Sequence, residues 1–320
     1  MFRYRHLSRH AGVFQHLTGL RLGEFEVLTG EMVPVQEAAH RQKLAHREKP
    51  RTRAVGGGTP FSLSHQDQLL LCVIWLRRYP THETLGYLFG VDATTIGRVL
   101  ERVLPLLSEN GRDTMKLPDP GRKRRVSLDE LLKQTPELAV IVDSFEQRVQ
   151  KPQRKGGSGS GSGSNKDSHY SGKKKQHTLK SQVAVDEETG LIVDVSASVP
   201  GPTADKRLLL ESKLLDRVPW GVGVLGDLAY LGLDKDHPQG LGATPRRKPR
   251  AKERPTQDKA FNLAFARRRI QVEHSIGHLR RYESVSQMDR HHRQHHAHRV
   301  QGVAGLVNRQ LQARHPYLFA

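Results

Sequence analysis

Two short apolar runs, each ending in an aspartate, constrain the fold of this chain more than any other feature. The runs are LAVIVD, which ends at Asp143, and GVGVLGD, which ends at Asp227. Apolar runs of this length between polar or glycine-rich segments are typical of buried strands. Carboxylates at strand ends are the oxygen ligands that Mg²⁺ prefers. We therefore expect a sheet with a divalent metal site at one edge.

The segments around these runs predict the rest of the sheet. QHTLKSQVAVD and LIVDVSASV alternate apolar and polar residues about a turn at 188–190, which indicates an antiparallel hairpin. TADKRLLLESKLLDRV predicts one amphipathic helix from near Thr203, ATPRRKPR a short basic strand, and 256–283 a long helix. A short helix is also expected at 127–134. The order favours a mixed sheet flanked by helices, with the two aspartates on neighbouring central strands.

The sequence before residue 107 predicts a mainly helical structure. Two helical pieces are expected within residues 1–50, and Ser64, Thr81 and Asp92 stand where helix N-caps are expected. The last two would begin the helices of a helix-turn-helix that turns at Gly90. The start of its second helix would face the DNA major groove. The candidate groove residues are Ala93, Thr94, Thr95 and Arg98. A three-helix core without DNA contact is the alternative.

A third acidic residue, Glu273, lies within the long helix in RRRIQVEHSIGHLRR. Phosphodiester cleavage needs an activated water and stabilised charge on the leaving oxygen, and two metal ions ~3.5–4 Å apart supply both. In this hypothesis Asp143 bridges two Mg²⁺ or Mn²⁺ ions, while Asp227 binds one and Glu273 the other. No protein nucleophile is needed.

Each carboxylate also has an ordinary structural interpretation. Asp143 could cap a turn at the end of its strand, and Asp227 could begin a loop. Glu273 could pair with Arg269 or Arg280 on its own helix. Taken singly, each interpretation is as good as the metal hypothesis, and only the three together favour a metal site.

The net charge of +19 and the pI near 10.3 favour a polyanionic partner, most simply nucleic acid. Several basic runs could neutralise phosphates on both sides of a scissile bond. A solvated surface is the alternative for any single run. The candidate DNA-binding residues in these runs are Lys173, Lys174, Lys175, Arg246, Arg247, Lys248, Arg268, Arg269, Arg280 and Arg281.

One cysteine, Cys72, lies in an apolar run, which suits a core position and a reducing cytoplasm. No stretch has the roughly 18 apolar residues of a membrane span, and the N-terminus lacks a signal-peptide core. We therefore expect no membrane partner. Residues 47–60 form a basic, glycine-rich connector, either a plain loop or an arm on DNA. The tract GGSGSGSGS at 156–164 is typical of a flexible linker, and we interpret it as an engineered replacement of a loop.

A histidine-rich segment near the C-terminus includes i,i+4 pairs that would suit a transition metal. No cysteine or carboxylate cluster completes such a site, so a polar helix facing DNA or solvent is the preferred interpretation. The histidines are His291, His292, His295, His296 and His298.

Residues from about 14 to 320 resemble bacterial insertion-sequence transposases of the DDE superfamily, in the branch with an N-terminal helix-turn-helix (insertion sequences of type five). The matching segments are LTGLRLGEFEVL, the helix-turn-helix, IVDSFEQRVQKP, YSGKKKQHTLKSQ, PGPTADKRLL, GDLAYLG and RRRIQVEHSIGHLRR. The resemblance implies a ribonuclease H-like fold and DNA strand transfer, with Asp143, Asp227 and Glu273 at the positions of the metal-binding triad. Asp205 matches a further acidic position, where a helix N-cap is an equal alternative.

With this resemblance, we expect an α/β chain with a ribonuclease H-like mixed five-stranded sheet flanked by helices, after an all-α helix-turn-helix domain. The expected divisions are an N-terminal helical segment (1–60), the helix-turn-helix (61–107), a connector (108–136), the catalytic domain (137–290) and a C-terminal helical segment (291–320).

The expected function is a bacterial DNA transposase that binds the terminal inverted repeats of its element and cuts and joins strands. It would act on double-stranded DNA as a homodimer, because two element ends must be paired, and it would be cytoplasmic and nucleoid-associated when bound to DNA. Two alternatives remain open: an inactive or domesticated DNA-binding regulator, and a metal-dependent endonuclease without joining activity.

Overall fold

A computed structural model of the chain describes residues 1–45, 61–121, 128, 130–151 and 169–316. The chain divides into two compact units. The first comprises Met1–Asp113, Arg281–Ser284 and Gln301–Ala320, and the second comprises Thr114–Arg280 and Val285–Val300. The expected connector at 47–60 and the glycine-serine tract at 156–164 lie outside the described residues.

The first unit is helical. Its helices before residue 114 are α1 (Tyr4–Leu7), α2 (Ala11–Thr18), α3 (Leu22–Ala45), α4 (His65–Arg78), α5 (His82–Phe89) and α6 (Ala93–Asp113). The three predicted caps are confirmed, because Ser64, Thr81 and Asp92 each accept a hydrogen bond from the backbone N–H three residues later. Gly90 ends α5 in the left-handed conformation, as a helix C-cap requires.

The core of the first unit forms around α4, whose residues from Asp67 to Leu76 are all buried. The predicted inner face of α6 is confirmed, since Ile96, Val99, Leu100 and Val103 are buried. Cys72 lies in this core, where burial raises the pKa of its thiol to about 12 and keeps it protonated.

The second unit is built on a mixed sheet. Its strands are β1 (Ala139–Arg148), β2 (Tyr170–Ser171), β3 (Gln176–Asp186), β4 (Ile192–Val195), β5 (Val199–Pro200), β6 (Gly223–Leu225) and β7 (Gly242–Ala243). The order is β2-β3-β1-β6-β7, and β4 and β5 also pair with β3. The expected sheet thus contains seven strand segments in the described part of the chain, and the predicted hairpin is the pair β3–β4.

The direction of the central pairs matters for the site. β1 is antiparallel to β3 but parallel to β6, and β6 is parallel to β7. On β1, Val140 and Val142 face an apolar cluster that includes Val224 of β6 and Leu209, which lies in the helix that follows β5. Because strand side chains alternate between faces, Ile141 and Asp143 project from the opposite side of β1.

The helices that lie entirely within this unit, among the described residues, are α7 (Asp205–Glu211), α8 (Leu214–Arg217), α9 (Leu233–Asp236) and α10 (Thr256–Arg280). The prediction of one helix after Thr203 was wrong, because Lys213 takes the left-handed conformation and separates α7 from α8. The expected basic strand is only the two-residue β7, so the basic residues at 246–250 lie after it. A 3-10 turn at Glu130–Leu132 is what the structure shows of the short helix expected at 127–134.

Two further helices follow, α11 (Glu283–Ser286) and α12 (His296–Arg314), and the chain passes from one unit to the other within each. The long helix predicted over 256–283 therefore ends at Arg280. Among the helices in the described ranges, none is long and apolar enough to cross a membrane.

Candidate functional site

The two strand-end aspartates occupy matching positions on adjacent parallel strands. Ile141 of β1 pairs with Leu225 of β6, and each aspartate stands two residues farther along its own chain. The expectation that Asp143 ends its strand was wrong, because β1 continues to Arg148, whereas Asp227 lies beyond the end of β6, after Gly226. Parallel strands in register bring such residues together at the carboxyl end of the sheet. The structure thus brings together the two acidic residues that the sequence singled out first.

Asp143 lies in an environment that disfavours its charge. Burial raises the pKa of its carboxyl above the ordinary value, and the nearby charges of Asp227 and Asp205 raise it further. Two contacts oppose this rise. The Ser144 N–H donates to Asp143 Oδ1 at 2.7 Å, and the Arg269 guanidinium lies 3.4 Å from Asp143 Oδ2. Half-buried carboxylates that repel one another, with one cation nearby, provide a set of oxygens suited to a cation.

Asp227 also has a local structural role. Its Oδ1 accepts a hydrogen bond from the Ala229 N–H at 2.9 Å and so begins the 3-10 turn Leu228–Tyr230. The ordinary interpretation, that Asp227 begins a loop, therefore describes its local contact. That contact uses one carboxylate oxygen and does not conflict with a second role.

Glu273 is not part of a close carboxylate cluster. It lies exposed on α10 and makes no ion pair with any described residue. The pairing with Arg269 that we considered does not occur, because Arg269 contacts Asp143 instead. Residues four apart lie on one side of a helix, so Glu273 is one turn beyond the residue that touches Asp143. Within the described ranges, no three His, Cys, Asp or Glu side chains converge closely enough to hold a metal ion.

Tyr230 is a site residue that the sequence did not single out. Its ring is buried, and its hydroxyl donates to Gln182 Oε1 of β3 at 3.2 Å. Burial raises the pKa of the phenol, and the charges of Asp205, Asp143 and Asp227 raise it further. The phenol therefore stays neutral, and its ring belongs to the apolar cluster that Val140 and Val142 face, on the side of β1 opposite Asp143. In the sequence, Tyr230 is marked by the apolar spacing after Asp227 in GDLAY. Periodicity alone does not distinguish such a residue from an ordinary core residue.

The candidate groove residues lie at the start of α6. Thr94 and Arg98 are exposed, four residues apart on one side of the helix. Ala93 and Thr95 are half-buried. The Thr95 hydroxyl donates to Asp92 Oδ2 at 2.9 Å, and its N–H donates to Oδ1. Thr95 thus serves the helix cap, which leaves Thr94 and Arg98 as the free side chains at this end of α6.

The basic runs divide into free and engaged side chains. Lys173, Lys174 and Lys175 are exposed in the turn between β2 and β3. The remaining exposed members of the predicted set are Arg247, Lys248, Arg280 and Arg281. These seven side chains are available to phosphates.

The other three cations are engaged within the second unit. The prediction that Arg268 contacts DNA was wrong, because it is buried and donates to Glu187, Thr135 and the Pro136 carbonyl. Arg246 pairs with Asp258 at 2.9 Å, and its guanidinium lies 4.4 Å from the Phe261 ring centroid. Arg269 is turned toward Asp143. Burial and pairing, which the local sequence did not reveal, set these three apart.

The histidine-rich segment differs from the polar helix, facing DNA or solvent, that was expected there, because α12 begins only at His296, after a 3-10 turn at Arg293–His295. His296 is fully buried, with Nδ1 2.6 Å from Ser198 Oγ and Nε2 2.8 Å from Gln147 Oε1. His291, His292, His295 and His298 are half-buried or exposed, and their rings lie near one another.

Comparison with known proteins agrees with this arrangement. Residues 142–308, just over half of the 320-residue chain, match the family described as DDE superfamily endonuclease. Residues 61–113 match the helix-turn-helix of DDE superfamily endonuclease. The predicted architecture is therefore confirmed: a mixed sheet flanked by helices follows an all-α helix-turn-helix unit.

One curated relative is a probable transposase for insertion sequence element IS702 of Microchaete diplosiphon, 25% identical over 93% of this chain and 94% of that protein. Two solved structures are more distant. A Mos1 transposase paired-end complex with the left transposon end is 14% identical over 65% of each chain, with a TM-score of 0.19. A pre-cleavage Mos1 transpososome is 11% identical over 87% of this chain and 86% of its own, with a TM-score of 0.20. These TM-scores are too low to bear on the fold or the site.

Proposed function

Because the chain belongs to the DDE superfamily endonucleases, we propose that it is a DNA transposase that cleaves and transfers strands at the Asp143–Asp227 pair. One observation carries the proposal: each aspartate stands two residues beyond the paired residues Ile141 and Leu225 of adjacent parallel strands. A bound divalent cation would relieve the electrostatic repulsion between these two half-buried carboxylates. Glu273, one turn beyond Arg269 on α10, is proposed as the third carboxylate.

Two Mg²⁺ or Mn²⁺ ions held by these residues would supply Lewis acidity at the phosphate and an activated water. The chain's own groups would do the rest. Asp143 and Asp227 supply the oxygens, and Arg269, the cation beside Asp143, balances their charge while no ion is bound. Tyr230 fills the sheet face opposite Asp143 with a neutral, buried ring.

The proposed DNA contacts are those side chains that the structure leaves exposed. Thr94 and Arg98 at the start of α6 would read the terminal inverted repeats in the major groove. Lys173, Lys174 and Lys175, with Arg247, Lys248, Arg280 and Arg281, would contact phosphates of the element and target DNA. A homodimer is proposed for the DNA-bound state, since two element ends must be paired. The buried, protonated Cys72 is compatible with the reducing cytoplasm in which we place the protein.

Replacing either aspartate should abolish cleavage while sparing DNA binding. With Mg²⁺ or Mn²⁺ and labelled ends of its own element, the wild-type protein should nick specifically at the ends. Asp143→Asn, Asp227→Asn and Glu273→Gln should each slow nicking by at least about 100-fold, the scale on which a lost transition-state-stabilising group is felt. Their affinity for the ends, measured by gel shift, should be unchanged.

Asp216→Asn is the matched control, since Asp216 is an exposed carboxylate on α8. It should nick at the wild-type rate. Nicking that survives Asp143→Asn would disprove the assignment of the pair. A wild-type protein that binds the ends but does not nick them would instead be a DNA-binding regulator.

Joining is tested separately from cutting. A transposase should produce strand-transfer products when pre-cut ends with a free 3′-hydroxyl are mixed with a target plasmid. An endonuclease that only hydrolyses would nick the ends and leave the plasmid without covalently joined element DNA. This experiment decides between the proposal and its closest competitor.

A further inference from the structure

A second group of carboxylates lies beside Asp143 and shares one buried ammonium. Lys180 Nζ of β3 is 2.8 Å from Asp205 Oδ1 and 3.9 Å from Glu146 Oε1. It also donates to the Thr203 carbonyl at 2.6 Å. The side chains of Lys180, Glu146 and Asp205 are 8%, 6% and 14% exposed, so this interaction is largely shielded from water.

This group is connected to Asp143 through the residue that follows it. The Ser144 hydroxyl donates to Asp205 Oδ1 at 2.7 Å, while the Ser144 N–H donates to Asp143 Oδ1. Lys180 and Ser144 therefore meet at one oxygen of Asp205. Through that oxygen, the first residue of α7 is tied to β3 and to the middle of β1.

The contacts of Asp205 differ from those of Asp143. Side chains alternate along β1, so Ser144 and Glu146 project from the side opposite Asp143. Asp205 is satisfied on that opposite side by an ammonium and a hydroxyl. A divalent ion at Oδ1 would therefore compete with both Lys180 and Ser144 for this oxygen. The expected role as helix N-cap is absent too, since the N-cap of α7 is Ala204 and no side chain caps it.

We propose that Lys180 and Asp205 are positioning residues that fix the part of β1 next to Asp143, and that Asp205 is not a metal ligand. Lys180 withholds Asp205 and Glu146 from the ion, so that Asp143 and Asp227 remain the carboxylates that bind it. The inference rests on the proposed function of the Asp143–Asp227 pair and assigns roles to residues outside it.

The test compares metal binding with cleavage in Asp205→Asn, Lys180→Met and Lys180→Arg. Mn²⁺ binding to the full chain is measured by electron paramagnetic resonance titration, alongside nicking of labelled element ends. Asp143→Asn should lose tight Mn²⁺ binding. Asp205→Asn should keep the wild-type number of bound ions, because its amide oxygen can still accept from Ser144. Its nicking rate should fall about 10- to 100-fold, as for groups that orient a ligand.

Lys180→Met should slow nicking by a similar factor with the number of bound ions unchanged, and Lys180→Arg should recover part of the rate. Lys206→Met is the matched control. Lys206, the next residue after Asp205, forms a more exposed pair with Asp236 at 2.7 Å. Its removal should change neither ion binding nor nicking.

Loss of Mn²⁺ binding in Asp205→Asn equal to that in Asp143→Asn would overturn the proposal and make Asp205 a ligand. Wild-type nicking by Asp205→Asn or Lys180→Met would also overturn it. If Lys180→Met does not fold, Asp205→Asn decides, because Lys180 keeps Glu146 as its partner in that variant. If Asp143→Asn itself keeps both ion binding and nicking, the proposed function fails instead, whatever the two positioning residues do.

Discussion

At the scale of single residues, the second unit buries ionisable side chains away from the carboxylate pair. His296 lies between Ser198 and Gln147, and Arg299 pairs with Asp289 at 2.5 Å in a fully buried position. Burial lowers the pKa of His296 to about 3, and the charge of Arg299 lowers it further. The His296 imidazole in the folded protein therefore stays neutral at mildly acidic pH, where the same imidazole in the unfolded chain would be protonated.

This burial predicts a loss of stability in mild acid. The unfolded chain takes up a proton on His296 near pH 6.5, whereas the folded chain does so only near pH 3. The free energy of unfolding should therefore be unaffected by His296 above pH 6.5. As the pH falls below that value, it should decrease by about 1.4 kcal/mol per unit. Between pH 6.5 and 5 the expected loss is about 2 kcal/mol.

Urea unfolding of the wild type and of His296→Gln at pH 7, 6 and 5 measures this loss as a difference in slope. Glutamine has a donor and an acceptor but does not titrate, so its curve should be flatter. His292→Gln removes an exposed histidine and should leave the slope unchanged. Parallel curves for the wild type and His296→Gln would contradict the prediction.

At the scale of elements, the two ends of α6 have different roles in the first unit. Its start carries the cap at Asp92 and the exposed Thr94 and Arg98. Near its end, Gly111 lies against Gly305 of α12 so closely that a Cβ added to Gly305 would stand 2.3 Å from the Gly111 Cα. Only glycine permits this approach of two helix backbones.

Gly305→Ala should therefore destabilise the first unit. Inserting a methyl group into a closely packed contact costs about 1–3 kcal/mol. Thermal unfolding followed by circular dichroism should show a lower midpoint. Gly302→Ala is the matched control on the same helix, because its Cβ would meet Leu107 at an ordinary 3.7 Å. It should be neutral or stabilise by up to about 1 kcal/mol through helix propensity. Equal melting of the two variants would show that the helices can separate without cost.

The elements also show how far local sequence reaches. The caps at Ser64, Thr81 and Asp92 were predictable because a side-chain oxygen and an N–H three residues on form a local contact. The break at Lys213 was not, since its left-handed backbone is set by how α7 and α8 pack, and lysine has no preference for it. The basic residues after β7 do not form a strand, because only Gly242 and Ala243 of β7 pair with β6.

At the scale of the whole molecule, the net charge of +19 should dominate the affinity for DNA. Each phosphate contact releases counterions, so the binding constant should fall steeply as salt rises. For six to ten such contacts the loss between 50 and 200 mM salt is about 10³- to 10⁵-fold. Fluorescence anisotropy with labelled element ends at several salt concentrations measures the slope.

Changing Lys173, Lys174 and Lys175 together to glutamine should reduce this slope by about 2 to 3, since each contact contributes about 0.9. Lys133→Gln is the control, because Lys133 is an exposed cation outside the basic runs and pairs with Glu130. An unchanged slope in the triple variant would mean that these lysines are a solvated surface.

The sequence by itself determined the helix caps, the buried strand runs, the charge and the positions of Asp143 and Asp227, because each depends on residue type and near neighbours. Tertiary structure decided what those residues meet. The parallel pairing of β1 and β6 brings the two aspartates close together. The packing of α10 against the sheet directs Arg269 toward Asp143 and buries Arg268. The pairing of Asp205 with Lys180 and the burial of His296 join residues far apart in the chain. Contacts over such separations follow from strand register and helix packing, which no local pattern encodes.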